Sequence, residues 1–514
     1  MPGPADRPDI AVVNPATGAV VGHVVDHEPA AVTAAVDGLR AHQSAWLQLG
    51  TAGRARWLLR FQDWLLDNAE HLNDVIQSET GKTRFDTAIE VPAAVDLVRY
   101  WSRNAATFLA DDHPGPHSPF GLAKRLIVTH RPYPVVGIIT PWNLPLLNPC
   151  FDAFAALMAG AAVLVKPSEE TPLSALELAR GWAEIGAPPV FTVLTGRGEA
   201  GRAVVEAVDF VQFTGSTATG RAIARACADT LTPHSLELGG KDPAIVLADA
   251  DVQRAAAGIT YGGMFNSGQV CIAVERVYVE AGIYDRFVAS LLDEVARLRQ
   301  GENGRGFDVE VGAMATRAQC DIVQRHVDDA VGRGAQILMG GKASGDGAFF
   351  EPTVLAGVDH TMACLQEETF GPVLPLIKVA DEEEAVRLAN DSDYGLSATI
   401  WTGDRRRGER LARRLEVGTV NINDAFANMV SFAIPMGGWK RSGVGARFGG
   451  PAGIRKYCRT QAIVVPRGPQ QKREPLWYPA SRWRAGLVTV LMRAFDARGW
   501  RKIPRWPRWP RSPR

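Results

Sequence analysis

The feature that most constrains this chain is a rhythm of short, wholly apolar runs separated by stretches of helical length. Val135-Val136-Gly137-Ile138-Ile139, Ala162-Val163-Leu164-Val165, Phe191-Thr192-Val193-Leu194 and Phe210-Val211-Gln212-Phe213 follow one another in this way. A strand without polar alternation is one buried on both faces, and strands alternating with helices predict a parallel sheet. A second series starts after Gly240, with Ala244-Ile245-Val246-Leu247, Val277-Tyr278-Val279, Val373-Leu374-Pro375-Leu376-Ile377 and Gly418-Thr419-Val420-Asn421. The predicted fold class is therefore α/β, in two successive segments without an internal repeat. The first hundred residues read as a short strand region followed by helices. There Trp57, Leu58, Phe61, Trp64 and Leu65 recur at helical spacing as one buried stripe.

At 514 residues the chain has room for two or three domains with real cores. No run of 18 apolar residues exists, so no membrane-spanning helix is expected. The first seven residues lack an apolar stretch, so no secretory signal is expected either. Six cysteines without a C-x-x-C pair predict neither a disulfide framework nor a zinc site, and a reducing cytoplasm fits them. The formal net charge of zero hides an asymmetry. Residues 467–514 carry thirteen Lys or Arg, two acidic residues and five of the thirteen Trp, which leaves a mildly acidic body with a basic, aromatic tail. Residues 504–511 lack helix-compatible composition and read as disordered.

Two short segments carry chemistry. Cys271 ends Phe265-Asn266-Ser267-Gly268-Gln269-Val270-Cys271, and Glu237 lies thirty-four residues upstream in Leu236-Glu237-Leu238-Gly239-Gly240-Lys241. A thiol beside small residues can be approached by a substrate, and a carboxylate flanked by leucines and followed by two glycines reads as a partly buried base on a bend with a raised pKa. Together they supply a nucleophile and a general base for acyl chemistry on a carbonyl. A lone cysteine is more often a small buried hydrophobe, and Cys150, Cys227, Cys320, Cys364 and Cys458 are read that way. Phe213-Thr214-Gly215-Ser216-Thr217-Ala218-Thr219-Gly220-Arg221 follows a strand and opens a helix, which suits a phosphate or a plain capped turn. Lys166-Pro167-Ser168-Glu169 closes another strand, where α/β sheets bind ligands; Lys166 and Glu169 can bond ribose hydroxyls there, or form an ordinary charged loop.

In this order and spacing the chain resembles the aldehyde dehydrogenase superfamily. The matching pieces are Thr140-Pro141-Trp142-Asn143-Leu144-Pro145, Lys166-Pro167-Ser168-Glu169, Phe213-Thr214-Gly215-Ser216, Glu237-Leu238-Gly239-Gly240-Lys241, Gly268-Gln269-Val270-Cys271, Glu367-Glu368-Thr369-Phe370-Gly371-Pro372 and Pro435-Met436-Gly437-Gly438-Trp439-Lys440-Arg441-Ser442-Gly443. The resemblance runs from roughly Asn14 to Val465. It implies a Rossmann-type cofactor domain (1–116 and 133–239), an α/β catalytic domain (240–451) and a small β oligomerisation extension (117–132 and 452–466), followed by the tail (467–514). It also implies a homodimer or homotetramer, with the extension joining a neighbouring subunit's sheet.

The resemblance implies that Cys271 attacks an aldehyde carbon and that Asn143 and the Cys271 N–H hold the oxyanion. Hydride then leaves to a nicotinamide, and Glu237 activates the water that releases the acid. The loop amides or the nicotinamide are expected to lower the Cys271 pKa. Lys166 and Glu169 match adenosine-ribose positions, Gly215 and Ser216 the pyrophosphate turn, Glu368 and Phe370 the nicotinamide-ribose side, with Trp142 and Leu238 as further cofactor contacts. No metal is expected. Glu169 should repel a 2′-phosphate, which predicts NAD, with NADP as the alternative.

Relatives that oxidise succinic semialdehyde carry arginines where this chain has Phe151 and Phe265. Two aromatic side chains imply a greasy tunnel and an uncharged aliphatic or aromatic aldehyde. Residues 417–424 resemble a bacterial semialdehyde branch that also lacks those arginines, so succinic semialdehyde stays the alternative; Met264, Phe426 and Arg447 are further candidate lining residues. A catalytically silent binding or structural protein on the same fold, and a thiol esterase without redox chemistry, are rivals of other kinds. In the tail, Trp483, Leu487, Val490, Leu491 and Phe495 share one helical face with Arg482, Arg484 and Arg493 off it. That face can pack on the enzyme body or a neighbouring subunit, or make peripheral membrane contact. No motif supports nucleic-acid binding.

Overall fold

The computed structural model of the chain describes residues 9–118, 121–302, 304–469, 472–474, 477–479, 481–503 and 507. Of the tail segment read as disordered, all but Pro507 lies outside the described residues. The chain divides into two compact units, Met1–Phe108 with Pro132–Cys458, and Leu109–Arg131 with Arg459–Arg514.

The larger unit contains the two strand series. The first forms a six-stranded sheet in the order Gly443–Val444, His234–Glu237, Phe210–Thr214, Val135–Ile139, Ala162–Lys166, Phe191–Val193. Its last five strands pair in parallel, and only Gly443–Val444 runs antiparallel, against His234–Glu237. Val135–Ile139 and Ala162–Lys166 are buried throughout, which is why the sequence shows unbroken apolar runs there. The second series forms a seven-stranded sheet, ordered Gln336–Met339, Thr353–Ala356, Val373–Val379, Val274–Glu280, Asp242–Val246, Ser397–Trp401, Thr419–Ile422. Only the Gln336–Met339 edge is antiparallel. Five strands of these sheets are new relative to the sequence reading: Gly443–Val444, Gln336–Met339, Thr353–Ala356, Ser397–Trp401 and His234–Glu237, the last of which places Glu237 on a strand end and not on a bend.

The helix Gly50–Asp67 buries Leu58, Phe61, Trp64 and Leu65 as the periodicity predicts. Trp57 is only half-buried, with the Arg60 guanidinium 4.6 Å from its ring. In the smaller unit, Lys124–Pro132 and Cys458–Pro466 pair as a two-stranded sheet. The same unit holds the helix Arg482–Asp496, capped by Ser481, with Trp483, Leu491 and Phe495 exposed.

Candidate active site

Strand direction gathers the site. The parallel strands of the first sheet deliver Asn143, Lys166, Gly215-Ser216 and Glu237 at or just beyond their carboxyl ends. In the second sheet Val274–Glu280 and Val373–Val379 are parallel neighbours. Cys271 and Phe370 each lie three residues before one of these strands, so both leave the same edge.

The cysteine loop is held in an unusual backbone state. After the helix Val252–Met264, Asn266, Ser267 and Gly268 all take positive φ, at 53°, 55° and 73°. A β-carbon on Gly268 would sit 2.2 Å from the Gly371 carbonyl oxygen, so glycine is required by packing as well as by φ. Ser267 Oγ donates to the Gly312 carbonyl at 3.0 Å, and Gln269 Oε1 accepts from the Ala315 N–H at 2.9 Å. Asn143 Nδ2 donates to the Gln269 carbonyl at 2.9 Å, while the Asn143 carbonyl accepts from Lys82 Nζ at 2.7 Å. Lys82 is paired in turn with buried Glu90, whose other oxygen takes the Leu146 and Leu147 N–H groups at the next helix start. The Cys271 N–H donates to no backbone carbonyl among the described residues, so it is free to face a developing oxyanion.

Glu237 is 1% exposed. Its Oε2 accepts from Arg447 Nη1 at 2.6 Å, and its Oε1 makes no hydrogen bond of good geometry. Burial raises its pKa above the ordinary carboxylate range against the charge of Arg447. Cys271 remains partly accessible although protein surrounds it. Burial first, and the Glu237 carboxylate second, push its thiol well above the usual value. In the protein without dinucleotide, desolvation and a facing carboxylate outweigh any lowering by the loop amides. The other five cysteines are buried and unpaired.

A groove leads to this centre. A cavity of about 280 Å³ is lined by Cys271, Glu237, Asn143, Leu238, Glu368 and Phe370 among others. It shares Pro141, Trp142, Thr214, Gly215 and Ser216 with a second cavity of about 710 Å³ that reaches Lys166, Ser168 and Glu169. The predicted cofactor residues therefore line one continuous groove. Lys166 Nζ lies 3.2 Å from Glu169 Oε2. Ser216 caps the helix Thr217–Thr230, and a β-carbon on Gly215 would collide with the Phe213 ring at 2.6 Å. Trp142 meets Phe370 edge-on at 5.4 Å, and the Leu238 side chain packs against Gly220 in that helix. Glu368 Oε1 accepts from the Gly240 N–H at 3.0 Å, and burial with the nearby Glu275 charge pushes its pKa to about 8. An elongated groove with a capped helix start, a buried Thr214 Oγ1 without a partner and carboxylates near both ends fits a dinucleotide.

The sequence profile of the aldehyde dehydrogenase family matches residues 3–463. The chain belongs to the aldehyde dehydrogenase family. A Mycolicibacterium smegmatis protein that carries the name "Putative succinate-semialdehyde dehydrogenase (NADP+)" is 41% identical over 441 residues, 85% of this chain and 84% of its own. A Methylomonas protein named 4,4'-diapolycopene aldehyde oxidase is 39% identical over 481 residues, 92% and 88% of the two chains. The crystal structure of lactaldehyde dehydrogenase from Escherichia coli superposes with a TM-score of 0.86 at 34% identity, covering 90% of this chain and 96% of that one. This aldehyde dehydrogenase is thus an oxidoreductase that converts an aldehyde to its acid with a nicotinamide dinucleotide, on the predicted α/β fold.

Several site residues escaped the sequence reading. Glu275 accepts both the Thr369 and Phe370 N–H groups at 2.8 Å and pairs with Lys241 at 2.6 Å, which holds the turn carrying Glu368 and Phe370. Asn148 stands directly behind Asn143, and Arg447, read from the sequence as a candidate lining residue, stands instead behind Glu237. Phe151 and Phe265 are buried and are not among the residues that line the cavity at Cys271. Phe151 stacks on Phe448 at 4.4 Å, and Phe265 packs with Tyr261 and Phe426. No helix among the described residues is long and apolar enough to cross a membrane.

Proposed function

We propose that Cys271 is the nucleophile, Glu237 the hydrolytic base and Asn143 with the Cys271 N–H the oxyanion donors. The observation that carries this is the meeting of Cys271, Glu237 and Asn143 at the inner end of the dinucleotide groove. The Cys271 thiol gives up its proton to solvent, Sγ bonds the aldehyde carbon, and the carbonyl electron pair moves to the oxygen, which accepts from the two N–H donors. The bound dinucleotide supplies one thing, acceptance of the hydride that leaves this carbon. The oxyanion then reforms a carbonyl, giving a thioester on Cys271. Glu237 takes a proton from water, the water oxygen adds to the thioester carbon, and the C–S bond breaks to release the acid. Lys166, Glu169, Gly215, Ser216, Trp142, Leu238, Glu368 and Phe370 hold the dinucleotide. Glu237→Gln should release one equivalent of reduced dinucleotide and then stall; an undiminished steady-state rate refutes the assignment.

The substrate we propose has an uncharged aliphatic or aromatic tail. Tyr261 and Phe265 lead into the cysteine loop and pack with Phe426, and burial first, then the acidic Asp86 and Asp424, raise the Tyr261 pKa, with no cation among the causes. Arg447 is engaged with Glu237 and Asn148, so it is not free to pair with a distal carboxylate. The relative named 4,4'-diapolycopene aldehyde oxidase is in keeping with this reading; the relative named for succinate semialdehyde keeps that substrate as the alternative. A panel of aldehydes of varied length and charge decides, and highest kcat/KM for succinic semialdehyde overturns the uncharged tail.

For the cofactor we favour NAD, because Glu169 faces the adenosine end of the groove. Relatives named for NADP make this a sharp test. Higher kcat/KM with NADP would reject it.

The strands Lys124–Pro132 and Cys458–Pro466 supply an edge for a neighbouring copy, supporting a dimer or dimer of dimers, read by light scattering. The exposed Trp483, Leu491 and Phe495 with the basic tail support peripheral membrane contact. Co-sedimentation with anionic vesicles, with and without residues 475–514, tests it, and equal binding removes it.

A further inference from the structure

Four hydrogen bonds in series join the two halves of the site. Arg447 donates from Nη1 to Glu237 Oε2 at 2.6 Å and from Nη2 to Asn148 Oδ1 at 2.8 Å. Asn148 Nδ2 donates to Asn143 Oδ1 at 3.0 Å, and Asn143 Nδ2 donates to the Gln269 carbonyl at 2.9 Å. Arg447, Glu237, Asn148 and Asn143 are all buried. One guanidinium thus grips the base directly and, through one amide, the side chain assigned to the oxyanion.

The guanidinium is itself fixed. Its carbon lies 5.1 Å from the Phe151 ring centroid and 5.6 Å from that of Phe448. Arg447 Nε and Asp152 Oδ2, both without a hydrogen bond, face each other at 3.9 Å. Asp152 Oδ1 is taken by Lys456 Nζ at 3.0 Å and the Tyr457 hydroxyl at 2.7 Å. The charged and titratable groups around Glu237 are therefore Arg447 and Lys456, which favour its ionised form, Asp152 and, across the cavity, Glu368, which oppose it, and the Cys271 thiol.

We infer that Arg447 is a positioning residue that keeps the Glu237 base and the Asn143 oxyanion donor in register, with Asn148 as the link. The inference rests on the roles given to Glu237 and Asn143 above. With Oε2 occupied, Oε1 is the oxygen left for chemistry. With Oδ1 occupied, the Asn143 amide cannot flip, and its second N–H stays available. The planar fork matters, since a lysine can hold one acceptor strongly but cannot span both with the same geometry.

Stopped-flow absorbance of the reduced dinucleotide separates the burst (thioester formation) from the steady state (thioester hydrolysis). Asn148→Ala should slow the burst tenfold or more, approaching the roughly 10²–10³ lost with an oxyanion donor itself, and leave the acid limb of the steady-state pH profile in place. Arg447→Lys should slow the burst with the same limb retained. Arg447→Gln should slow hydrolysis and move that limb to higher pH, because a cation favouring the carboxylate is gone. A purely structural arginine would lower thermal stability while the folded fraction kept the parent burst and limb. Should Arg447→Gln not fold, Asn148→Ala and Arg447→Lys decide; parent burst rates in both overturn the inference. Glu237→Gln separates the two levels. If it turns over like the parent, the base assignment fails, whereas a stalled Glu237→Gln beside unaffected Asn148 and Arg447 variants removes only the register.

Discussion

Replacing Gly268 by alanine should disable the fraction of enzyme that folds as well as destabilise it. Two costs can be worked out. Gly268 has φ +73°, and the left-handed region costs an L residue about 1–2 kcal/mol. A β-carbon there would lie 2.2 Å from the Gly371 oxygen, 2.4 Å from the Gly371 carbonyl carbon and 2.9 Å from the Pro372 nitrogen. All three are backbone atoms, so no flexible side-chain end can swing aside, and overpacking of this kind costs about 1–3 kcal/mol. Relief to an ordinary contact of 3.4–4 Å requires the cysteine loop or the Gly371-Pro372 segment to move by more than an ångström. Either movement displaces a reacting group, Cys271 or the turn bearing Glu368 and Phe370, and a misplacement of about 1 Å can cost about 10²-fold in rate. The comparison is Gly186→Ala: φ is +67° and nothing lies within 4 Å, so only the backbone cost applies, away from the chemistry. Thermal unfolding and kcat/KM at saturating dinucleotide are measured on both. Gly268→Ala should lose about 10² in kcat/KM, and Gly186→Ala should keep the parent's activity at a lowered Tm. Parent-like kcat/KM in folded Gly268→Ala would refute the claim that this contact places the nucleophile.

Two further outcomes follow from the same geometry. Asn143→Ala removes one oxyanion donor and should slow the burst by about 10²–10³, with the steady-state acid limb unmoved. Glu368, held at about 8, should bind ribose hydroxyls better once ionised, so dinucleotide affinity should rise as pH climbs through 8; calorimetry on Glu368→Gln should show that dependence gone, and a retained slope would reassign it.

Legibility followed the range of each signal. Val135–Ile139 and Ala162–Lys166 announce themselves because both faces are covered and every residue before Lys166 is apolar. His234–Glu237 does not, because a four-residue strand containing His, Ser and Glu carries no such pattern, yet its end sets the base. Cys271, Glu237 and Asn143 could be picked out from local motifs. Arg447 could not be assigned a job, since Glu237 is 210 positions away and Asn148 is 299 away, and only the fold brings them together. Phe151 and Phe265 show a related limit. Their apolar character was readable, but whether they line an opening or fill a core depends on Phe448, Tyr261 and Phe426, far away or on other faces. The upward push on the thiol in the dinucleotide-free protein was not readable for the same reason, because burial is a property of the packed chain.

That raised thiol decides between two jobs for Glu237. If the carboxylate were the group that strips the proton from Cys271, removing it would make the cysteine less reactive. The structure argues the reverse. Glu237, although paired with Arg447, is a buried negative charge beside Sγ, and after burial it is the largest influence holding the proton on sulfur. Arg447 acts in the opposite sense, and Glu237→Gln would leave that cation without its carboxylate partner. The thiolate is the form that reacts with an alkylating agent. Alkylation of Cys271 by iodoacetamide in the dinucleotide-free protein should therefore be slow near neutral pH, quicken as pH rises, and become faster at each pH in Glu237→Gln. The measurement is the rate of label incorporation at Cys271, read by mass spectrometry, across pH 6–9 for both proteins. Slower labelling of Glu237→Gln would mean that Glu237 removes the thiol proton, and its role could not be confined to thioester hydrolysis. Faster labelling would place it on the second half of the reaction alone, consistent with a variant that completes one turnover and stops.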